Sequence, residues 1–250
     1  MARRGKWAVL CMAALTLGPA SALTGCGQQS AGAKPGFESA AELPEKLGED
    51  GTTIMVGDPD ARLTVALYED LRCPVCEEFE TAGGSPALRK AMLGRKAKTE
   101  YTLASFLDNG LGGSGSKKAA NALRAALGED KFVEYHEVLY ANQPEESVDG
   151  YTTARLLELA DEVEGLRGPT FDTAVKTMKY RAFVTASQEA YERAGGAEEP
   201  KGPGTPAAAI NGAWLPDEYR ELIFDNKIFG KLLQTIYDDP RSWKDAAQPL

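Results

Sequence analysis

The sequence runs to 250 residues, 43% of them hydrophobic and 26% charged, which suits one soluble domain of about 200 residues plus short extra segments. Its net charge of −9 argues against nucleic acid as a partner. Phosphate binding needs a basic stripe that releases counterions, and no basic cluster follows the first few residues.

Residues 1–25 have the layout of a secretory signal. Arg3, Arg4 and Lys6 form a cationic start, and an apolar stretch follows over residues 7–17 until Gly18 and Pro19 interrupt it. A membrane span needs about 20 apolar residues, so this stretch is too short to be one. Leu23-Thr24-Gly25-Cys26 resembles the bacterial lipobox, which implies that Cys26 becomes the mature N-terminus and is acylated. More than one acyl chain gives a stable anchor, where a single chain binds only marginally. Ordinary secretion with cleavage near Ala22 and an uncleaved anchor are the other two readings. Residues 26–44 are rich in Gly, Gln, Ser and Ala without apolar periodicity, the composition of a flexible tether.

Setting that segment aside simplifies the cysteines. Cys11 falls in the apolar stretch and Cys26 in the lipobox, leaving Cys73 and Cys76 spaced C-x-x-C. Outside the membrane such a pair can form disulfides. A bridge closing so tight a loop removes only about 2 kcal/mol of unfolded-state entropy, little for a domain with its own core. Zinc wants four Cys or His ligands, and the remaining candidate is the lone His136, in a helical pattern over 129–142. A surface or core role suits that histidine better, so no metal and no cofactor are expected.

The surroundings of the pair point to chemistry. Residues 63–68 form a short apolar run suited to a buried strand. Pro74 fits the first position of a helix, which puts Cys73 at the N-cap, against unpaired backbone donors and the positive end of the helix dipole. A sulfur there is held as thiolate, the reactive species, so Cys73 is the expected nucleophile and Cys76, one turn on, the resolving thiol. Arg72 adds positive charge next door; Asp70, Glu77 and Glu78 oppose it.

Far downstream, Gly204-Thr205-Pro206 leads into a short apolar strand and an Asn211-Gly212 turn, the pattern of a β-hairpin. With Cys73-Pro74-Val75-Cys76, and with Gly57-Asp58-Pro59-Asp60-Ala61 ahead of the first central strand, the chain resembles the DsbA-like branch of the thioredoxin superfamily over about residues 53–239. The resemblance implies an α/β thioredoxin fold with an inserted helical subdomain. It also implies a cis-proline at Pro206 beside the cysteines, with Thr205 touching the substrate backbone; an ordinary turn proline is the plainer reading of Pro206 alone. Many members carry a buried acid six residues before the first cysteine as a proton relay. Here that position is Leu67, which leaves Glu69, Asp70 or solvent for the role.

The remaining patterns give a helix over 85–93 and a returning strand over 98–106, then a flexible break at 110–115. Helices follow over 119–127, 129–142, 152–164 and 170–194, the last interrupted near Tyr180. The domain is expected over 45–240. Its helical insertion spans about 116–195, a last helix covers 219–237, and the tail over 241–250 is loose. As a whole the resemblance implies a lipid-anchored thiol–disulfide oxidoreductase on the extracytoplasmic face of the bacterial cell membrane. Its substrates would be exported protein thiols and disulfides, and a membrane redox partner would recycle it. Oxidase and reductase directions both stay open, as does a non-catalytic binding module whose C-x-x-C is only a bridge.

Overall fold

The computed structural model describes residues 34–195, 201–240 and 248–249. Two strands precede the first one expected, Glu45–Leu47 (β1) and Ile54–Gly57 (β2), paired antiparallel around a turn in which Asp50 accepts from the backbone of Thr52 and Thr53. Both are too short for their periodicity to stand out. Leu63–Asp70 (β3) is the central strand. It runs parallel to Ala97–Ala104 (β4) and antiparallel to Ala207–Ile210 (β5), and the sheet continues through Ala213–Trp214 (β6) to Gln248–Pro249 (β7) in the order β1-β2-β4-β3-β5-β6-β7.

A parallel pair needs a crossover, and Pro74–Thr81 (α1) with Ser85–Leu93 (α2) supplies it between β3 and β4. The β5–β6 turn places Asn211 and Gly212 at φ 53° and 77°, and Asn211 ties the hairpin to β3 by accepting from the backbone N–H of Thr64 at 2.9 Å. Asn-Gly adopts such angles readily.

Between β4 and β5 lie the helices Leu107–Leu111 (α3), Gly115–Leu127 (α4), Phe132–Ala141 (α5), Thr153–Ala160 (α6), Pro169–Thr177 (α7) and Arg181–Ala194 (α8). The helices of the insertion therefore begin at Leu107, ahead of the expected residue 116. The stretch over 110–115 expected to be loose holds the end of α3 and the start of α4, because the Asp108 carboxylate caps Ser116 and Lys117 at 3.0 Å each and Asp149 holds the backbone N–H of Ser114. The break near Tyr180 is present: Met178 takes a left-handed conformation between α7 and α8. The final helical region is divided as well, into a 3₁₀ stretch at Asp217–Phe224 and Asn226–Asp238 (α9), whose N-terminus is capped by Asp225.

Two segments read as loose are attached to the domain. From Lys34 onward the expected tether is docked: the backbone N–H of Phe37 donates to Leu93, the Arg95 guanidinium lies 3.8 Å from the Phe37 ring centre, and Leu43 is buried. Two large apolar residues in a small-residue segment account for this. The tail returns as β7 to pair with β6. The signal segment and Cys26 lie outside the described residues. Among the described residues no helix is long and apolar enough to cross a membrane.

Candidate active site

β3 and α1 bring the cysteines to the edge of the core. Cys73 is the N-cap of α1, with extended φ/ψ and Pro74 just inside the helix; its carbonyl accepts from Cys76 and Glu77 at 3.0 and 3.2 Å. The Thr205–Pro206 peptide is cis, and the Cys73 thiol donates to the Thr205 carbonyl at 3.4 Å, so the downstream loop does meet the pair. Both cysteines are free thiols. Cys73 is only 7% exposed beneath this loop, against 0% for Cys76; Val75 between them stands out at 42%.

The two sulfurs are electrostatically unequal. The Cys73 thiol is lowered to about 6, chiefly by the hydrogen bond from the Cys76 thiol. Burial works against this, while the Thr205 side chain and the backbone N–H groups of Cys76 and Val75 reinforce it. Burial pushes the Cys76 thiol well above its ordinary range, helped by the bond to Cys73 and by the nearby Glu69 charge. The pair thus presents one thiolate and one retained proton.

Arg72 does not act on the thiolate as its sequence position suggested. Its side chain is 1% exposed and committed elsewhere: Nη1 donates to Asp108 at 3.0 Å and to the Gly112 carbonyl at 2.8 Å, and Nη2 to the Glu146 carbonyl at 3.1 Å. Asp70 belongs to the same knot. It accepts from the Ser116 hydroxyl at 2.6 Å and from the backbone N–H groups of Arg72 and Leu107 at 3.0 and 3.1 Å, while burial raises its carboxyl to about 6. Both oxygens are occupied in anchoring the insertion, which leaves Asp70 poorly placed as a relay. Gln143 completes this side by donating to the carbonyls of Leu71 and Cys73.

Glu69 differs. Strand alternation puts it on the same face as Leu67, one step nearer the cysteines. It is fully buried, and its Oε2 sits 2.9 Å from His136 Nε2 on α5. The other imidazole nitrogen, Nδ1, faces Glu80 Oε2 at 3.9 Å, and that oxygen accepts from the Ser85 hydroxyl at 2.7 Å. Burial pushes both carboxyls up to about 8 and holds His136 below its ordinary value. The two carboxyls also share a side-chain hydrogen bond. Among the described residues this is the one group whose potential ligand atoms lie within 4.8 Å of one another, and neither cysteine is part of it. Because the imidazole turns a different nitrogen to each carboxyl, it bridges them and does not chelate with them.

Glu80 and His136 were missed as site residues. Glu80 was legible, since it stands four residues after Cys76 on the same helix face. His136, 60 residues away across the insertion, carried no such signal.

The thioredoxin family model matches residues 49–222. The chain belongs to the thioredoxin family. Its fold is that of DsbA structures. BdbD from Bacillus subtilis superposes with a TM-score of 0.62 at 18% identity, covering 82% of this chain and 100% of that one. MdbA from Corynebacterium diphtheriae, a thiol-disulfide oxidoreductase, gives 0.58 at 18% identity, covering 80% and 95%. DsbA from Mycobacterium tuberculosis gives 0.55 at 22%, covering 74% and 98%. No curated protein matches the chain by sequence.

Proposed function

We propose that this protein is an exported thiol–disulfide oxidoreductase that forms disulfides in other exported proteins, held at the extracytoplasmic membrane face by lipid on Cys26. One observation carries the reading: an acidified Cys73 at a helix N-terminus accepts a hydrogen bond from a buried Cys76 whose own proton is hard to remove. A mere bridge needs no such inequality. With the pair oxidised, a substrate thiolate attacks Cys73 Sγ and displaces Cys76; a second substrate thiolate then releases the substrate disulfide and leaves Cys73 as thiolate. Glu69 is the acid that protonates Cys76 as it leaves. A membrane redox partner then reoxidises the pair, and the Thr205 loop positions the substrate backbone beside Cys73.

A stabilised thiolate favours the reduced form and so makes the pair oxidising. Equilibration against glutathione buffers should give a potential above thioredoxin's, near about −270 mV. A value at or below it would overturn the oxidase direction in favour of a reductase. Absence of any catalysed refolding of a reduced protein would leave a binding module. For the anchor, Cys26→Ala should abolish acylation and release the protein from the membrane fraction; retention with an intact N-terminus would indicate an uncleaved anchor.

A further inference from the structure

Cys76 is sealed from solvent, yet the proposed cycle gives it a proton each time the disulfide opens and removes that proton each time it closes. The sealed position needs a route. We propose that the proton passes along Glu69, His136 and Glu80 and exits at a separate cleft between α1, α2 and α5, making His136 and Glu80 proton-relaying residues of the resolving thiol. This rests on the assignment of Glu69 as the acid behind Cys76.

Three features of the geometry point this way. The first is the bridging imidazole, with Nε2 at 2.9 Å from Glu69 and Nδ1 at 3.9 Å from Glu80. A neutral imidazole takes a proton at one nitrogen while releasing one from the other, and the longer gap closes with a small rotation of Glu80 or one water. The second is the side-chain hydrogen bond that the two buried carboxyls share, which keeps both in contact with the imidazole between them. The third is the outlet. Glu80 lines a cleft of about 230 Å³ together with Thr81, Arg89, Glu137 and Tyr140, and neither cysteine nor the Thr205–Pro206 loop contributes to its wall.

The charges around the wire are few. Arg89 on α2 pairs with Glu137 on α5 at 2.9 Å at the half-exposed mouth, and Glu134 acts on Glu137 from the next turn. Inside, Tyr101 on β4 and Tyr140 and Phe132 on α5 enclose the imidazole with ring centres 5.1, 4.9 and 5.3 Å away, and Ser85 on α2 holds Glu80. No buried cation fixes either carboxylate in its charged form among these neighbours. The raised carboxyls and the lowered imidazole keep all three groups neutral together, so a proton moves between them without leaving a stranded charge.

The step balances. As the substrate thiolate bonds to Cys73 Sγ, the Cys73–Cys76 bond breaks with its electron pair on Cys76, which takes the Glu69 proton. Glu69 then takes the proton on His136 Nε2, Nδ1 takes the Glu80 proton, and Glu80 is reprotonated by water in the cleft. Closure runs in reverse as the Cys76 sulfur attacks the mixed disulfide at Cys73 and expels the partner thiolate.

The test is the rate of opening of the Cys73–Cys76 disulfide by dithiothreitol, and of its closure by oxidised glutathione, in light and heavy water. Full-chain protein is compared with Glu69→Gln, His136→Gln and Glu80→Gln, and the Cys73 titration is followed by thiolate absorbance. All three variants should be slower by about 10²-fold, the low end of what a positioned acid or base contributes, with a larger solvent isotope effect and an unmoved Cys73 midpoint. Added imidazole should restore His136→Ala; if that variant does not fold, His136→Gln carries the test. Slowing in Glu69→Gln alone would overturn the exit route and leave Glu69 as the acid. Wild-type rates in Glu69→Gln would overturn both. Slowing with a shifted Cys73 midpoint would mean the cluster acts through charge or packing, and one equivalent of zinc lost in His136→Gln would make it a metal site; each overturns the wire.

Discussion

Adjacent residues on one strand open onto two different interiors. Asp70 points into a knot where a buried guanidinium, two carboxylates, a hydroxyl and several backbone groups hold one another, with Arg72 and Asp108 neutralising each other at 3.0 Å and Arg72 Nε left without a partner. Glu69 points to the opposite face. There two carboxyls and an imidazole have no cation, and the carboxyls share a hydrogen bond with each other. A neutralised ion pair makes the first cluster a fastener between the active-site loop and the helical insertion. The missing cation makes the second a place where protons are held and exchanged, which is where a sealed thiol needs them.

The thiols give the largest contrast to break. Cys73 lies near about 6 and Cys76 well above 9. At mildly acidic pH an alkylating reagent should therefore label Cys73 more than about 10³-fold faster, each pKa unit being tenfold in thiolate population. Equal labelling, read by peptide mass, would contradict the helix N-terminus account.

Next comes the fastener. Asp108→Ala strands the buried Arg72 charge and should cost about 3–5 kcal/mol in urea unfolding, whereas the double variant Arg72→Met with Asp108→Asn, whose amide oxygen still accepts from the backbone of α4, should recover part of that loss. A small loss in the single variant would mean that Arg72 had found another partner and that the knot is no fastener.

The acid cluster should show the opposite response. Glu69 and Glu80 titrate near about 8 in the folded chain against an ordinary 4.5, so the stability tied to their neutral forms is full below about pH 4.5 and falls as pH rises through 8. Glutamine stays neutral throughout. Glu80→Gln should match the parent at pH 4 and exceed it by roughly 1–3 kcal/mol at pH 8 or above. A destabilised variant at alkaline pH would refute the neutral, cation-free description. The smallest effect belongs to Gln143→Leu, which removes two bonds to the loop carbonyls and should cost about 1 kcal/mol while leaving the Cys73 titration in place.

What the chain disclosed before folding follows the range of its signals. The central strand, the proline-led helix and the Asn211-Gly212 hairpin are set by neighbours within a few residues, and all were readable. Glu69 was named as one relay option, but nothing local separated it from Asp70, because which face of β3 meets which helix is decided by tertiary packing. Arg72 was misjudged for the same reason: adjacency to Cys73 in sequence said nothing of a side chain drawn to Asp108, 36 residues on. The split of the last helix was readable in principle, since Asp225 is a strong N-cap, but an unbroken apolar pattern masked it.

The far edge of the sheet has a consequence for a protein whose proposed customers are unfolded chains. β6 is covered by Gln248–Pro249, and the residue set opposite Ala213 is a proline, which has no N–H to offer a further strand. A sheet beside reactive cysteines would otherwise invite any extended polypeptide to zip onto its border. With that border occupied and Pro249 offering no N–H, this side of the sheet gives an extended chain little backbone to pair with.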